Sequence, residues 1–414
     1  MTLGDILYGF CFFYPLFMSY VWMIGAMFYY LHYEIKDPDP DIPPNLPRYP
    51  KVSFVVPCYN EGDNAREVIG HLMKSNYPDF DVIAINDGSK DNTGEILDEL
   101  CKQYPLLRVV HQAQNQGKAA GLNAAAIISD SEFMICIDGD AILHPNAARW
   151  MLRHFLNSPR VGAVTGNPRI RTRSTILGKI QVGEFSAIIG QIKRAQRTYG
   201  KVFTVSGVVA GFRKAALHEI GYWSTDMLTE DIDVSWKMQC NKWDVRFEPA
   251  ATCWILMPET LKGLWKQRVR WSMGGTQAIL KYAKVWSTWT SRRMWPLYVE
   301  YFLSLIWAYL MVFMVFCFAI GQIIPLPAGL HVQSLLPNWC GVLLGTTSLL
   351  QIALGSFFDR KYDKDLHINY FYTIWYPLAY WILGWLTSVW AVPKTLLRKT
   401  GQKATWVSPD RGVK

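Results

Sequence analysis

The chain has 414 residues, half of them apolar, with 59 Trp, Tyr and Phe side chains and a formal net charge of +9. Its length would allow two or three soluble domains, but apolar content this high and this unevenly spread argues against a wholly soluble chain. The positive charge is a weak argument for nucleic acid: Lys and Arg concentrate beside apolar stretches, as in Arg292-Arg293, Arg398-Lys399 and Lys403, where membrane-flanking charge is the more economical reading.

Residues 6–31 carry no charged side chain, enough for one membrane span at about 20 apolar residues. Asp5 precedes this run with no Lys or Arg, and the run is too long for a secretory leader, so an uncleaved anchor over residues 1–36 is expected. Lys36, Arg48 and Lys51 follow it, which puts the N-terminus outside and the next domain in the cytosol. Residues 37–50 form a linker whose six prolines in fourteen positions forbid regular structure.

From residue 51 short apolar runs rich in β-branched residues, at 52–56, 82–85, 107–111 and 133–137, alternate with helical stretches near 63–75, 92–103 and 117–129. This alternation predicts an α/β fold with a mostly parallel sheet covered on both faces, in a cytosolic domain over residues 51–290. Ligands of such sheets bind beyond the carboxyl ends of the strands. Tyr59-Asn60-Glu61, Asp87-Gly88-Ser89 and Asp138-Gly139-Asp140 stand at those ends.

Tyr59, after Pro57, has the shape to stack on a uracil ring, or else packs as an ordinary aromatic. Asp87 can accept from a base or ribose hydroxyl; taken alone it reads as an Asx-turn or helix cap. Lys118 follows Gly117 at a helix start, where phosphate is favoured. Asp138 and Asp140 straddle a glycine after a buried strand, so both carboxylates can converge on magnesium or manganese bridging a diphosphate; an Asp-Gly turn is the plain alternative.

Residues 174–198 have apolar side chains near helical spacing, ending in Lys193, Arg194 and Arg197, and predict either an interfacial helix or one packed on the catalytic domain. In Thr229-Glu230-Asp231, acidic residues open a helical stretch. Helix capping explains them, and so does a base that takes the proton from an acceptor hydroxyl. Gln267, Arg270 and Trp271 fall on one helix face at i, i+3 and i+4, suited to diphosphate charge and a stacked sugar, or to an interfacial Trp-Arg belt.

Residues 301–358 carry no Asp, Glu, Lys or Arg and hold two spans, broken at 325–329 with Pro337 further on; 366–393, also uncharged, hold at least one. The C-terminal membrane region is thus set at 296–397, before a basic tail at 398–414. Three spans after a cytosolic domain would put that tail outside, against the charge rule, so either 368–393 is re-entrant or interfacial or the rule fails there. The eight cysteines form no CxxC or other close pair, which indicates neither a disulfide framework nor a zinc site.

Taken together, Pro57-Cys58-Tyr59-Asn60-Glu61, Asn86-Asp87-Gly88, Asp138-Gly139-Asp140, Thr229-Glu230-Asp231 and Gln267-Arg268-Val269-Arg270-Trp271, in this order, resemble the processive, membrane-integrated family 2 glycosyltransferases, which include cellulose, chitin and hyaluronan synthases. The stretches 164–174, 253–267 and 406–412 are most similar to the bacterial poly-N-acetylglucosamine synthases, and the likeness covers nearly the whole chain. It implies a GT-A, Rossmann-like catalytic domain with transmembrane α-helices in the bacterial inner membrane. The implied reaction polymerises UDP-GlcNAc with Mg2+ or Mn2+ into a β-1,6-linked, biofilm-type exopolysaccharide passed outward. The growing polysaccharide, membrane lipids and a small PgaD-like membrane partner, with cyclic di-GMP sensed at their interface, are its implied partners.

By the motif match, Pro57, Tyr59, Glu61, Asp87, Lys118 and Asp138 would serve the donor nucleotide, and Asp138 and Asp140 the metal. Asp231, Glu230 and Arg270 would be catalytic, while Trp271, Gln267, Ser206 and Gly207 would hold the acceptor. Other membrane β-glycan synthases, or a single-step transferase acting on a lipid phosphate, are the alternative readings. The chain departs from the family in one expected N-terminal span where the poly-N-acetylglucosamine synthases have two, and from cellulose synthase in an expected lack of a PilZ-like domain.

Overall fold

The computed structural model describes residues 3–332, 339–399 and 401–405; Pro337 and the tail motif at 406–412 lie outside the described residues. The chain opens with α1 (Leu3–Tyr29), continued as a π-helical turn at Tyr30–Glu34. Then follow β1 (Val52–Cys58), α2 (Gly62–Leu72), β2 (Phe80–Asp87), α3 (Thr93–Gln103), β3 (Leu107–Gln112), α4 (Lys118–Ile128), β4 (Phe133–Ile137) and β5 (Ile142–Leu143). The alternation expected from sequence is present, each strand within a few residues of its expected bounds. β1 and β4 are buried at every position, and α2 buries Ala65, Val68, Ile69 and Leu72, the i, i+3, i+4, i+7 stripe of a helix lying on a sheet.

The second half adds α5 (Ala147–Asn157), β6 (Val161–Ile170), α6 (Ile176–Glu184), α7 (Ile192–Tyr199), β7 (Val209–Arg213), α8 (Lys214–Glu219), α9 (Glu230–Cys240) and β8 (Asp244–Ile255). The eight strands form one sheet in the order β3-β2-β1-β4-β7-β6-β8-β5. β3, β2, β1 and β4 run parallel, but β7 is antiparallel to both β4 and β6, and β5 to β8, so the sheet is mixed. Both faces are covered. Alternate residues of β1 point to opposite cores, Phe54 and Val56 beside Trp150 and Phe155 on one side, Val55 beside Ile85 and Ala125 on the other.

The proline-rich linker has no regular structure but is docked: Pro40 O accepts from Trp150 Nε1 at 3.1 Å, and Asp37 pairs with Arg153 at 2.7 Å. The stretch expected as one helix over 174–198 is α6 and α7 joined by a π-helical segment, Phe185–Gln191. It is wedged between the sheet and the apolar helices, with Gly25 of α1 against Ala195 and Gly355 against Ala187. Lys193 and Arg194 are therefore buried rather than displayed at an interface.

The remaining elements are α10 (Leu261–Lys281), α11 (Trp295–Gly321), α12 (Trp339–Asp359), α13 (Leu366–Asn369) and α14 (Tyr376–Leu396). Among the described residues three helices are long and apolar enough to cross a membrane, Leu3–Glu34, Trp289–Gly321 and Trp339–Asp359. The segment expected as a further span is divided into α13, a 3-10 stretch at Tyr370–Trp375, and α14, which packs along α10 and α11. No disulfide forms among the described residues.

Candidate active site

The loops beyond β1, β2 and β4 are locked together. Asn60, in the left-handed region at φ 55°, donates its N–H to Ser89 Oγ at 3.1 Å and accepts from Lys90 N at 2.9 Å, while Glu61 N–H reaches Thr93 Oγ1 at 2.8 Å. Gly139 has no room for a side chain, because a Cβ there would lie 3.0 Å from Glu61 Cγ and 3.1 Å from Pro57 O. Pro57 and Glu61 thus brace the Asp138-Asp140 turn, with Tyr59 half-buried beside them. Asp87 is buried and accepts the backbone N–H groups of Gln116 and Gly117 at 2.7 and 2.9 Å. Burial raises its pKa, and these bonds offset part of the rise. Its visible work is to hold the loop that starts α4 at Gly117, where φ is 89°.

Lys118, first residue of α4, joins the two acid clusters. Its Nζ lies 2.5 Å from Asp138 Oδ1, 3.2 Å from Glu230 Oε1 and 2.8 Å from the Gly207 carbonyl. Burial works against its charge, yet Asp138 and Glu230 hold it well above the ordinary lysine range. Asp140, 7% exposed, is pushed up to about 7 by burial and then by the Asp138 carboxylate. Asp138 and Asp140, two hard carboxylates two positions apart in one turn, are a donor set that fits a divalent cation completed by phosphate oxygens. Among the described residues no group of three or more His, Cys, Asp or Glu converges on a metal position.

Asp231 lies in the first turn of α9. Its Oδ2 accepts Gly207 N–H at 3.2 Å and its Oδ1 accepts Ile232 N–H at 2.9 Å. Burial, then Glu230, pushes it up to about 6 against the pull of Lys118 and Arg270. Ser206 N–H is held by Thr165 Oγ1 at 2.7 Å, and Gly207 lies tight against the site, since a Cβ there would sit 3.0 Å from Asp231 Oδ2.

α10 brings the remaining expected residues alongside. Arg270 is exposed and lines a groove with Leu228, Lys266, Met273, Lys394 and Arg398. Gln267 is half-buried, with Nε2 3.7 Å from Met257 Sδ and Oε1 without a hydrogen-bond partner. Trp271 is half-buried, and the Arg268 guanidinium lies 4.4 Å from the centre of its ring, fixed by a 2.7 Å bond to the buried Glu184 of α6. Sequence reasoning missed Arg268, Glu184, Thr165 and Lys193. For Glu184 and Lys193 the available signal was one carboxylate and four cations inside the largely apolar 174–198 stretch.

Comparison with known proteins agrees with this geometry. Residues 49–274 match the family model described as "Glycosyltransferase like family 2". The "Poly-beta-1,6-N-acetyl-D-glucosamine synthase" of Staphylococcus epidermidis is 37% identical over 414 residues, covering 98% of each chain. The protein of the same name from Staphylococcus aureus (strain MSSA476) is 38% identical over 411 residues, again covering 98% of each. Among solved structures, the mannosyltransferase PcManGT from Pyrobaculum calidifontis, in complex with GDP-Man and Mn2+, superposes with a TM-score of 0.66 at 19% identity, over 95% of this chain and 98% of that one. The last likeness concerns the fold alone, which is GT-A.

Proposed function

The chain belongs to glycosyltransferase-like family 2, and on that premise we propose that it polymerises N-acetylglucosamine from UDP-GlcNAc into β-1,6-linked poly-N-acetylglucosamine, with inversion at the anomeric carbon. The observation that carries the chemistry is Asp231: a half-buried carboxylate pushed up to about 6, joined through Gly207 and Lys118 to the Asp138-Asp140 turn. The end-to-end likeness to synthases of that name supports the choice of polymer.

In this reading Pro57, Tyr59, Glu61 and Asp87 shape the nucleotide pocket, and Lys118 holds the donor phosphates against Asp138. Asp138 and Asp140 would hold Mg2+ or Mn2+, which when bound neutralises diphosphate charge. Trp271, half-buried with Arg268 against its ring, would stack on the acceptor sugar, beside Gln267 and the Ser206-Gly207 loop. The acceptor 6-hydroxyl oxygen attacks C1 of the donor sugar, its proton passes to Asp231, and the bond from C1 to the phosphate oxygen breaks with the electron pair leaving on UDP. Glu230 keeps the Lys118 ammonium in place, and Arg270 faces the charge that develops on the leaving diphosphate. Catalysis sits on the cytoplasmic side of the bacterial plasma membrane in this proposal, and the apolar helices pass the product outward.

The test is incubation of the purified full-length protein with UDP-GlcNAc, UDP-glucose and UDP-glucuronic acid in turn, with manganese or with EDTA, and with or without a small membrane partner. A β-1,6-linked amino-sugar polymer made from UDP-GlcNAc alone, and lost with EDTA, is expected. A cellulose- or hyaluronan-type product, or one sugar on a lipid phosphate, overturns the proposal.

A further inference from the structure

Lys193 is a buried charge that the proposed mechanism does not use. It lies in α7, 5% exposed, and of its three ammonium donors one has a hydrogen-bond partner among the described residues, Thr165 Oγ1 at 3.1 Å. An ammonium removed from water with one hydrogen-bond partner and the Phe247 ring 5.9 Å away is costly, so burial favours its neutral form unless a nearby charge opposes that. The acidic group that acts on it is Asp231.

The contacts run on from there. Thr165 Oγ1 also accepts the N–H of Ser206 at 2.7 Å, the next N–H, of Gly207, is given to Asp231, and the Gly207 carbonyl accepts from Lys118 at 2.8 Å. The Ser206-Gly207 loop thus meets Lys118 directly through the Gly207 carbonyl and Lys193 through Thr165 Oγ1. α7 is itself pinned to α1: Thr198 Oγ1 donates to the Gly25 carbonyl at 2.9 Å, and a side chain at Gly25 would meet Ala195 Cβ at 2.9 Å. Lys193 is therefore held between the apolar anchor helix, on which α7 packs, and the sheet, where Thr165 of β6 accepts from it.

We infer that Lys193 is a positioning residue for the transfer step: through its bond to Thr165 Oγ1, which also accepts Ser206 N–H, it fixes the Ser206-Gly207 loop whose next N–H holds Asp231. The inference rests on the role of Asp231 proposed above. The charged groups acting on Asp231 are Glu230, Lys118 and Arg270 in addition to Lys193. Burial pushes Lys193 down to about 7, and the Asp231 carboxylate opposes that fall.

The experiment compares full-length wild type, Lys193→Met, Thr165→Val and Thr165→Ser in detergent or nanodiscs, measuring UDP affinity, KM for UDP-GlcNAc and the pH dependence of kcat. Lys193→Met is expected to lower kcat about tenfold with UDP affinity and KM within about twofold, and to move the acid limb of the profile up by about one pH unit. Thr165→Val should lower kcat without that pH shift, since the charge remains, and Thr165→Ser should restore it. A Lys193→Met protein that binds UDP and keeps wild-type kcat and acid limb overturns the inference. Should Lys193→Met lose UDP binding, the threonine pair decides: wild-type kcat in Thr165→Val overturns it, and loss in Thr165→Val with recovery in Thr165→Ser upholds it. Asp231→Asn in the same assay separates the two readings, because activity retained there removes Asp231 as base, whereas an inactive Asp231→Asn beside an unaffected Lys193→Met removes only the role of Lys193.

Discussion

At Asp231 capping and base catalysis compete for one side chain. A carboxylate in the first turn of a helix is favoured by the helix dipole and is ordinarily held ionised. Here burial and Glu230 outweigh that effect and lift Asp231 to about 6, the direction expected of a proton acceptor and opposite to that of a solvated cap. Asp231→Asn should therefore lower polymer formation by roughly 10² or more while UDP affinity stays within about twofold, as read by radiolabelled sugar incorporation and by titration with UDP. In the wild type the same rate should fall as pH drops through about 6, because protonated Asp231 cannot take the hydroxyl proton. Trp271 belongs to the same scale. With Arg268 over one face, Trp271→Ala should impair chain extension more than donor hydrolysis, and Arg268→Met should do so more weakly; equal loss of both reactions would count against an acceptor platform. Asp87, Asp138, Asp140, Asp231 and Trp271 could be named as candidates from sequence because each lies in a short motif, although each alone has a structural reading and the family resemblance supplied the roles. Lys193 and Thr165 could not, since what defines them is a contact across 28 positions of chain.

The elements differ in legibility for a related reason. β1 to β4 announce themselves as short β-branched runs, and the strictly local connections between them leave parallel pairing as the available arrangement. β7 gives no such clue. It returns after the long excursion that forms β5, α5, β6, α6 and α7, and periodicity identifies a strand without naming its neighbour, so its antiparallel place between β4 and β6 had to be seen. The helices beside the site carry a device that sequence also concealed. Glu259, buried and one residue before the cap of α10, accepts from Ser174 Oγ at 2.6 Å and from Thr175 N at 2.9 Å, while Thr175 caps α6 through Gly178 N–H and Thr260 caps α10 through Gly263 N–H. The two helices that position Glu184 and Trp271 thus start from one carboxylate. Glu259→Ala should cost about 1–3 kcal/mol by leaving these donors unpaired. A lower unfolding midpoint, together with chain extension reduced more than UDP binding, is the expected pair of results.

Across the whole molecule, a buried ion network joins the catalytic sheet to the apolar helices. Arg194 of α7 donates to Glu34 at the end of the anchor helix, at 2.7 and 2.9 Å, and to Asp359 at the end of α12, at 2.9 Å. Asp359 accepts in turn from Arg169 of β6 at 2.6 Å, and Tyr362 OH closes the circuit on Glu34 at 2.9 Å. Arg194 and Arg169 have side chains no more than 1% exposed, so loss of one partner leaves an uncompensated charge in the interior. Asp359→Asn or Arg194→Met alone should cost about 3–5 kcal/mol, and the double variant less than the sum of the two, a result that thermal unfolding of the detergent-solubilised protein can decide. The network also bears on activity, because Arg169 follows Thr165 on β6 and Arg194 follows Lys193 on α7. It holds those two elements at the separation that the Lys193 contact to Thr165 requires. Arg194→Met should therefore lose stability and kcat together, whereas Lys193→Met should lose kcat with a smaller change in unfolding midpoint. A Lys193→Met protein destabilised as much as Arg194→Met would instead make Lys193 one more member of the structural network.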